Sequence, residues 1–126
     1  MKKENQKITE LVKSFEDARK LTGRPDVPDF SNLPPDMRKY FEAQYKMIVI
    51  AEALNEGWIP DWDNYNEYKY YPWFEMSPSS FAFDVSHYGL ARAVAGSGSR
   101  LKFRTRELAE YAAEQFIDIW KDIQIA

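Results

Sequence analysis

The sequence predicts an α+β fold: two N-terminal helices, an antiparallel three- to four-stranded β-meander, and a C-terminal helix packed on the sheet. Three observations predict it. Apolar residues recur with a 3.6-residue period at both ends of the chain and again in its first half. Phe81, Phe83 and Val85 alternate with Ala82, Asp84 and Ser86, the period-two signature of a half-buried strand. Finally, 126 residues with 44% apolar content are enough to bury a core and too apolar for a disordered chain, although 29% are charged. Residues 1–126 therefore read as a single domain, with a helix and Pro-rich connector over 1–35 and an α–β-meander–α core over 36–126.

Ile8, Leu11, Val12, Phe15, Ala18 and Thr22 fall on one helical face, and Gly23 followed by Pro25 supplies a stop, so the spacing predicts one amphipathic helix over about 4–22. Arg24 to Leu33, with Pro25 and Pro28, reads as an irregular connector and the best candidate for a hinge. Pro34-Pro35-Asp36 is a helix-start signal, because proline loses nothing in a first turn and an early carboxylate complements the helix dipole. Met37, Tyr40, Phe41, Gln44, Met47, Ile48, Ala51 and Leu54 carry that helix to a left-handed cap at Gly57. The apolar run Met47 to Ala51 predicts burial of its middle on more than one side.

The aromatic stretch Tyr70 to Met76 predicts a strand that lies at an edge or carries a bulge, because Pro72 cannot donate to a ladder. Ser77 to Ser80 reads as a turn before the Phe81 strand. Leu90 to Ala95 and Arg100 to Arg104 are candidate further strands, separated by the flexible turn Gly96-Ser97-Gly98-Ser99. Thr105 is the expected N-cap of a last helix with an apolar stripe at Leu108, Ala112, Phe116, Ile119, Trp120 and Ile123.

Composition narrows the chemistry. The absence of cysteine excludes a disulfide framework, a thiolate metal site and a cysteine nucleophile. His87 is the only histidine, which excludes a two-imidazole metal site, and period two puts it on the strand face opposite Asp84 and Ser86, so no local triad forms. The expectation is no cofactor, no metal and no catalytic set. Lys2-Lys3-Glu4-Asn5 leads into no apolar run and no long apolar stretch follows, so no membrane association and a cytoplasmic location are expected.

Asp61, Asp63, Asn64, Asn66 and Glu67 gather oxygen donors, but a calcium loop that began at Asp61 would have Tyr65 at its fifth position and Asn66 where glycine is required. A solvated turn whose side chains cap their own backbone is the favoured reading. Gly96-Ser97-Gly98-Ser99-Arg100 has the glycines of an anion-binding nest but not the lysine and helix start of a P-loop; a hairpin turn is favoured.

Charge is segmental: +3 over residues 1–24, −6 over 25–75, +4 over 76–106 and −4 over 107–126. Within the basic block, period two puts Arg100, Lys102 and Arg104 on one strand face, with Leu101 and Phe103 on the other. Tyr71, Trp73 and Glu75 likewise share a face. With helices covering the Phe81, Phe83, Leu101 and Phe103 side, Tyr71, Trp73, Asp84, Arg100, Lys102 and Arg104 stand together on the open side, and Arg92 from the same block joins them as a candidate binding residue. Aromatics beside cations suit single-stranded nucleic acid. The same residue types suit a protein partner or a homo-oligomer. The third arrangement is cross-strand pairing of these cations with Glu75 and Asp84. A small enzyme with a carboxylate and arginine site would require Glu67, Glu75 or Asp84 to converge with Arg100 or His87.

Ala53-Leu54-Asn55-Glu56-Gly57-Trp58, Tyr68 to Phe74, Gly98-Ser99-Arg100-Leu101 and Arg106 to Tyr111 resemble a family of uncharacterised small proteins from gut anaerobic bacteria and their phages and prophages. The resemblance covers roughly residues 40–123 and brings no catalytic residues. It implies a phage or mobile-element accessory protein, a binding or interaction module rather than a metabolic enzyme.

Overall fold

The structure, a computed structural model, describes residues 7–76, 81–90 and 98–125, without the side chains of Val85 and His87. It is α+β, in the order α1 (Ile8–Leu11), α2 (Phe15–Thr22), α3 (Pro35–Leu54), β1 (Lys69–Met76), β2 (Phe81–Gly89), a 3₁₀ turn (Ser99–Leu101), α4 (Arg106–Gln115) and α5 (Ile117–Gln124).

The first amphipathic segment is two helices rather than one. Ser14 is extended and its side chain accepts from the Asp17 N–H at 3.1 Å, a cap that starts α2 afresh. Val12, also extended and fully buried, turns its carbonyl to the Tyr111 hydroxyl at 2.6 Å, and the Lys13 carbonyl accepts from Gln115 at 3.0 Å. The break frees backbone groups that bind the start of the chain to α4. The connector is irregular as expected, but it is fastened rather than left as a hinge: Arg24 pairs with Glu52 and Pro25 accepts from the Tyr45 hydroxyl, both on α3.

Helix α3 runs as its sequence predicts, and its middle is buried at Met47, Val49, Ile50 and Ala51, residues that point in several directions around the axis. After Asn55 the chain enters left-handed backbone at both Glu56 (φ 51°) and Gly57 (φ 86°). Only the second position was legible as glycine. The last helical segment also divides in two, at Phe116 (φ −114°, ψ 32°), which lets α5 turn across α3 while Phe116 and Trp120 remain in the core.

β1 and β2 form an antiparallel hairpin, and Phe103 adds a single antiparallel rung to the other edge of β1 by exchanging both backbone bonds with Tyr70 (3.0 and 2.8 Å). Because Tyr70 points its N–H and carbonyl at that edge, period two directs Pro72's missing N–H the same way, past the rung, and no bond to β2 is lost. The register skips Asp84, since Trp73 pairs with Val85 and Phe74 with Phe83. This bulge overturns the simple alternation: Phe81 and Phe83 are followed on the helix-facing side by Ser86 and Tyr88. The predicted third strand at Leu90 to Ala95 lies outside the described residues from position 91 on, as does the turn at 77–80. Arg100 to Arg104 is a 3₁₀ turn followed by the Phe103 rung, not a strand.

α4 packs against both strands and α5 against β2 and α3. Phe74 stacks on Phe81 at 4.7 Å between ring centres and meets Trp120 at 5.4 Å. Core residues come from Ile8 near the start through Trp120 near the end, so both termini feed one apolar cluster.

Candidate functional site

The hairpin has two unlike faces. Tyr70, Pro72 and Phe74 look toward α4 and α5; Tyr71, Trp73 and Glu75 look the other way. Faces were legible in the sequence, and Lys102 is where period two put it, beside Tyr71; Arg100 and Arg104 are not.

Lys102 precedes the Phe103 rung and is therefore on the Tyr71 side of the sheet, with its ammonium 4.2 Å from the Tyr71 ring centre. It is fully buried, and that burial lowers its pKa to about 8. The Tyr71 end of this face is thus closed. Arg104 turns to Glu56 at 2.6 Å. Arg100, carried by the 3₁₀ turn, leaves the sheet and lines a cavity together with Glu52, whose carboxyl is held below its ordinary range first by the Arg24 hydrogen bond and also by the Arg100 charge. Of the expected aromatic and basic platform, Tyr71, Trp73 and Lys102 share one side of the sheet, while Arg100 turns to the Glu52 cavity and Arg104 to Glu56. A 3₁₀ turn has three residues per turn, not two, so residues two apart do not share its direction. Arg92 lies outside the described residues.

What the outer face does expose is aromatic and acidic. Trp73 is 48% exposed, Glu75 follows it on the same face, and the bulge residue Asp84 next to its partner Val85 is exposed too. Beside the base of the hairpin, Tyr68 and Tyr88 stack at 4.5 Å with both rings partly in solvent, and the neighbouring loop shows Tyr65, Asp61 and Asp63.

That loop is held by a lysine that no sequence pattern singles out. Lys69 is fully buried, and its ammonium donates to the carbonyls of Asn64 (3.2 Å), Glu67 (3.0 Å) and Leu90 (2.7 Å), with the Glu67 carboxylate at 3.3 Å and the Trp62 ring centre at 5.1 Å. Burial pushes the Glu67 carboxyl up, yet hydrogen bonds from the Asp61 N–H, the Trp58 indole and Lys69 outweigh it and leave the group below its ordinary range. Asp61 and Asn64 accept from the N–H of Asp63 and Asn66 at 3.0 and 2.9 Å, the self-capping arrangement favoured over calcium. Among the described residues no group of three or more acidic or histidine side chains is placed to hold a metal ion. Glu67 is committed to its loop, Glu75 and Asp84 lie on the hairpin, and Arg100 faces Glu52. The carboxylate and arginine site considered for an enzyme is not assembled from those residues, and its alternative through His87 rests on a side chain outside those described.

The class that fold and surface define is a small α+β protein with an aromatic, acidic hairpin face; no described helix is long and apolar enough to cross a membrane. No family model matches the chain, and neither the curated proteins nor the solved structures contain a match.

Proposed function

We propose that this protein is a non-enzymatic protein-interaction module, a mobile-element accessory in the setting its sequence motifs imply, and that the outer hairpin face docks a basic protein partner. The observation that carries this reading is the company Trp73 keeps among the described residues: exposed carboxylates at Glu75 and Asp84, while Lys102 and Lys69 are buried and Arg104 is paired with Glu56. A large aromatic supplies contact area at small entropic cost, and an acidic rim steers and orients a basic surface. The same arrangement disfavours single-stranded nucleic acid, whose phosphates need cations beside the stacking rings.

Site-specific photo-crosslinking tests it. Trp73→benzoylphenylalanine in cells is expected to give one heterologous adduct with a basic protein, reduced severalfold by Glu75→Lys with Asp84→Lys, while the same photoprobe at Lys20 on α2 gives none. Purified protein is expected to leave a single-stranded oligonucleotide unshifted at low salt. A self-adduct, or an oligonucleotide shift abolished by alanine at Arg100, Lys102 and Arg104, would overturn the reading in favour of a homo-oligomer or a nucleic-acid binder respectively.

A further inference from the structure

A cavity of about 340 Å³ opens where the connector, the end of α3, the Gly57 to Pro60 turn and the 3₁₀ turn meet. This volume lies at the lower end of the range for small-molecule sites. Ile48, Trp58, Ile59 and Pro60 supply its apolar lining, and Arg24, Glu52 and Arg100 its charged lining. Arg24 forks onto Glu52 with bonds of 2.8 and 3.0 Å, so those two charges satisfy each other. Arg100 is exposed and, among the described residues, makes no hydrogen bond or ion pair. One positive charge therefore faces the cavity without a directly bonded anion.

The apolar side is equally unfilled. Ile59 is 77% exposed, the most exposed large hydrophobic residue among those described. Trp58 is fixed in place by its indole bond to Glu67 at 3.1 Å, so its ring is a rigid wall rather than a mobile side chain. Ser99 receives the Trp62 indole N–H at 2.6 Å and keeps its own hydroxyl proton for a further acceptor.

We infer that this cavity is a binding site for a small aromatic monocarboxylate, with the ring against Trp58 and Ile59 and the carboxylate on Arg100. A single anionic group fits because Glu52 would repel a second. A flat apolar body fits because the lining beside the cations is apolar and, at Trp58, held in place. The site is separate from the hairpin face, and the inference stands independently of the partner reading above.

The test is a titration with 1-naphthoate, followed by amide and indole NMR shifts and by calorimetry, with neutral 1-naphthalenemethanol and inorganic phosphate as parallel probes. Naphthoate is expected to bind saturably with a Kd of about 1 mM or tighter, shifting the Trp58 indole and the Gly57, Ser99 and Arg100 amides. Arg100→Ala is expected to weaken it about tenfold or more with other resonances unmoved, Arg100→Lys to recover part of the loss, and Ile59→Gln to weaken it severalfold. Phosphate alone is expected not to saturate. Equal affinity for the neutral alcohol, unchanged affinity in Arg100→Ala, or shifts centred away from these residues would overturn the assignment.

Discussion

The Lys102 ammonium sits 4.2 Å from the centre of the Tyr71 ring and is withdrawn entirely from solvent. A charge taken out of water loses hydration, which is why burial drives this pKa down to about 8. The sign of the linkage follows. Between the folded pKa near 8 and the unfolded value near 10.5 the unfolded chain holds the proton more often than the folded one, so this group makes stability rise with pH through that window. Below pH 8 both states are protonated and the destabilisation is fully present. The stability difference between the native protein and Lys102→Met should therefore shift in favour of the native protein between pH 8 and 10. The gain is limited to a few kcal/mol, because each tenfold difference in proton affinity between the two states is worth about 1.4 kcal/mol. Urea midpoints at pH 7 and 9.5 measure it; an unchanged difference would refute the account.

Asn55 should be one of the costliest polar positions to truncate. Its buried amide donates to the Lys102 carbonyl at 2.8 Å and accepts from the Arg104 N–H at 3.0 Å, pinning the end of α3 to the segment that makes the Phe103 rung. Asn55→Ala strands a carbonyl and an N–H, a loss of about 2–4 kcal/mol. By contrast, Arg24→Ala removes a partly exposed pair and should cost under about 1 kcal/mol. Chemical denaturation of the two variants side by side checks the ranking.

Lys69 gives a third expectation. Its ammonium satisfies three carbonyls and a carboxylate inside the 61–68 loop and at Leu90, so Lys69→Met leaves several acceptors without their donor. A loss of about 3 kcal/mol or more is expected, together with faster proteolytic cleavage within residues 61–68 than at any site in α3. Limited proteolysis with mass mapping of the first cut reads this directly.

The side-chain caps that start α2 and α4 supply the fourth. Ser14 accepts from the Asp17 N–H and Thr105 from the Leu108 N–H, each at 3.1 Å. Replacement of either by alanine should cost about 1 kcal/mol, and Ser14→Ala should in addition loosen the contacts of Val12 and Lys13 with α4. Thermal unfolding gives the cost, and amide exchange at α2 and the end of α4 gives the coupling.

What the sequence determined by itself was set by local periodicity and local covalent constraint. The α3 stripe from Met37 to Leu54, the Thr105 cap, the left-handed Gly57, the opposite faces of Tyr70 and Tyr71, and the irregular connector all follow from spacing or from what Pro and Gly permit. Tertiary structure decided the rest. The bulge at Asp84 reversed the second half of β2. The 3₁₀ turn at Ser99–Leu101 took Arg100 off the sheet to the Glu52 cavity and Glu56 drew Arg104 away, while Lys102 kept the place beside Tyr71 that period two gives it. Lys69 became a buried clamp because carbonyls far apart in the chain converge on it. A period says which residues share a face only while the period lasts; where a bulge or a tight turn changes it, partners separated by 20 to 50 residues decide where a charge goes, and no local pattern records them.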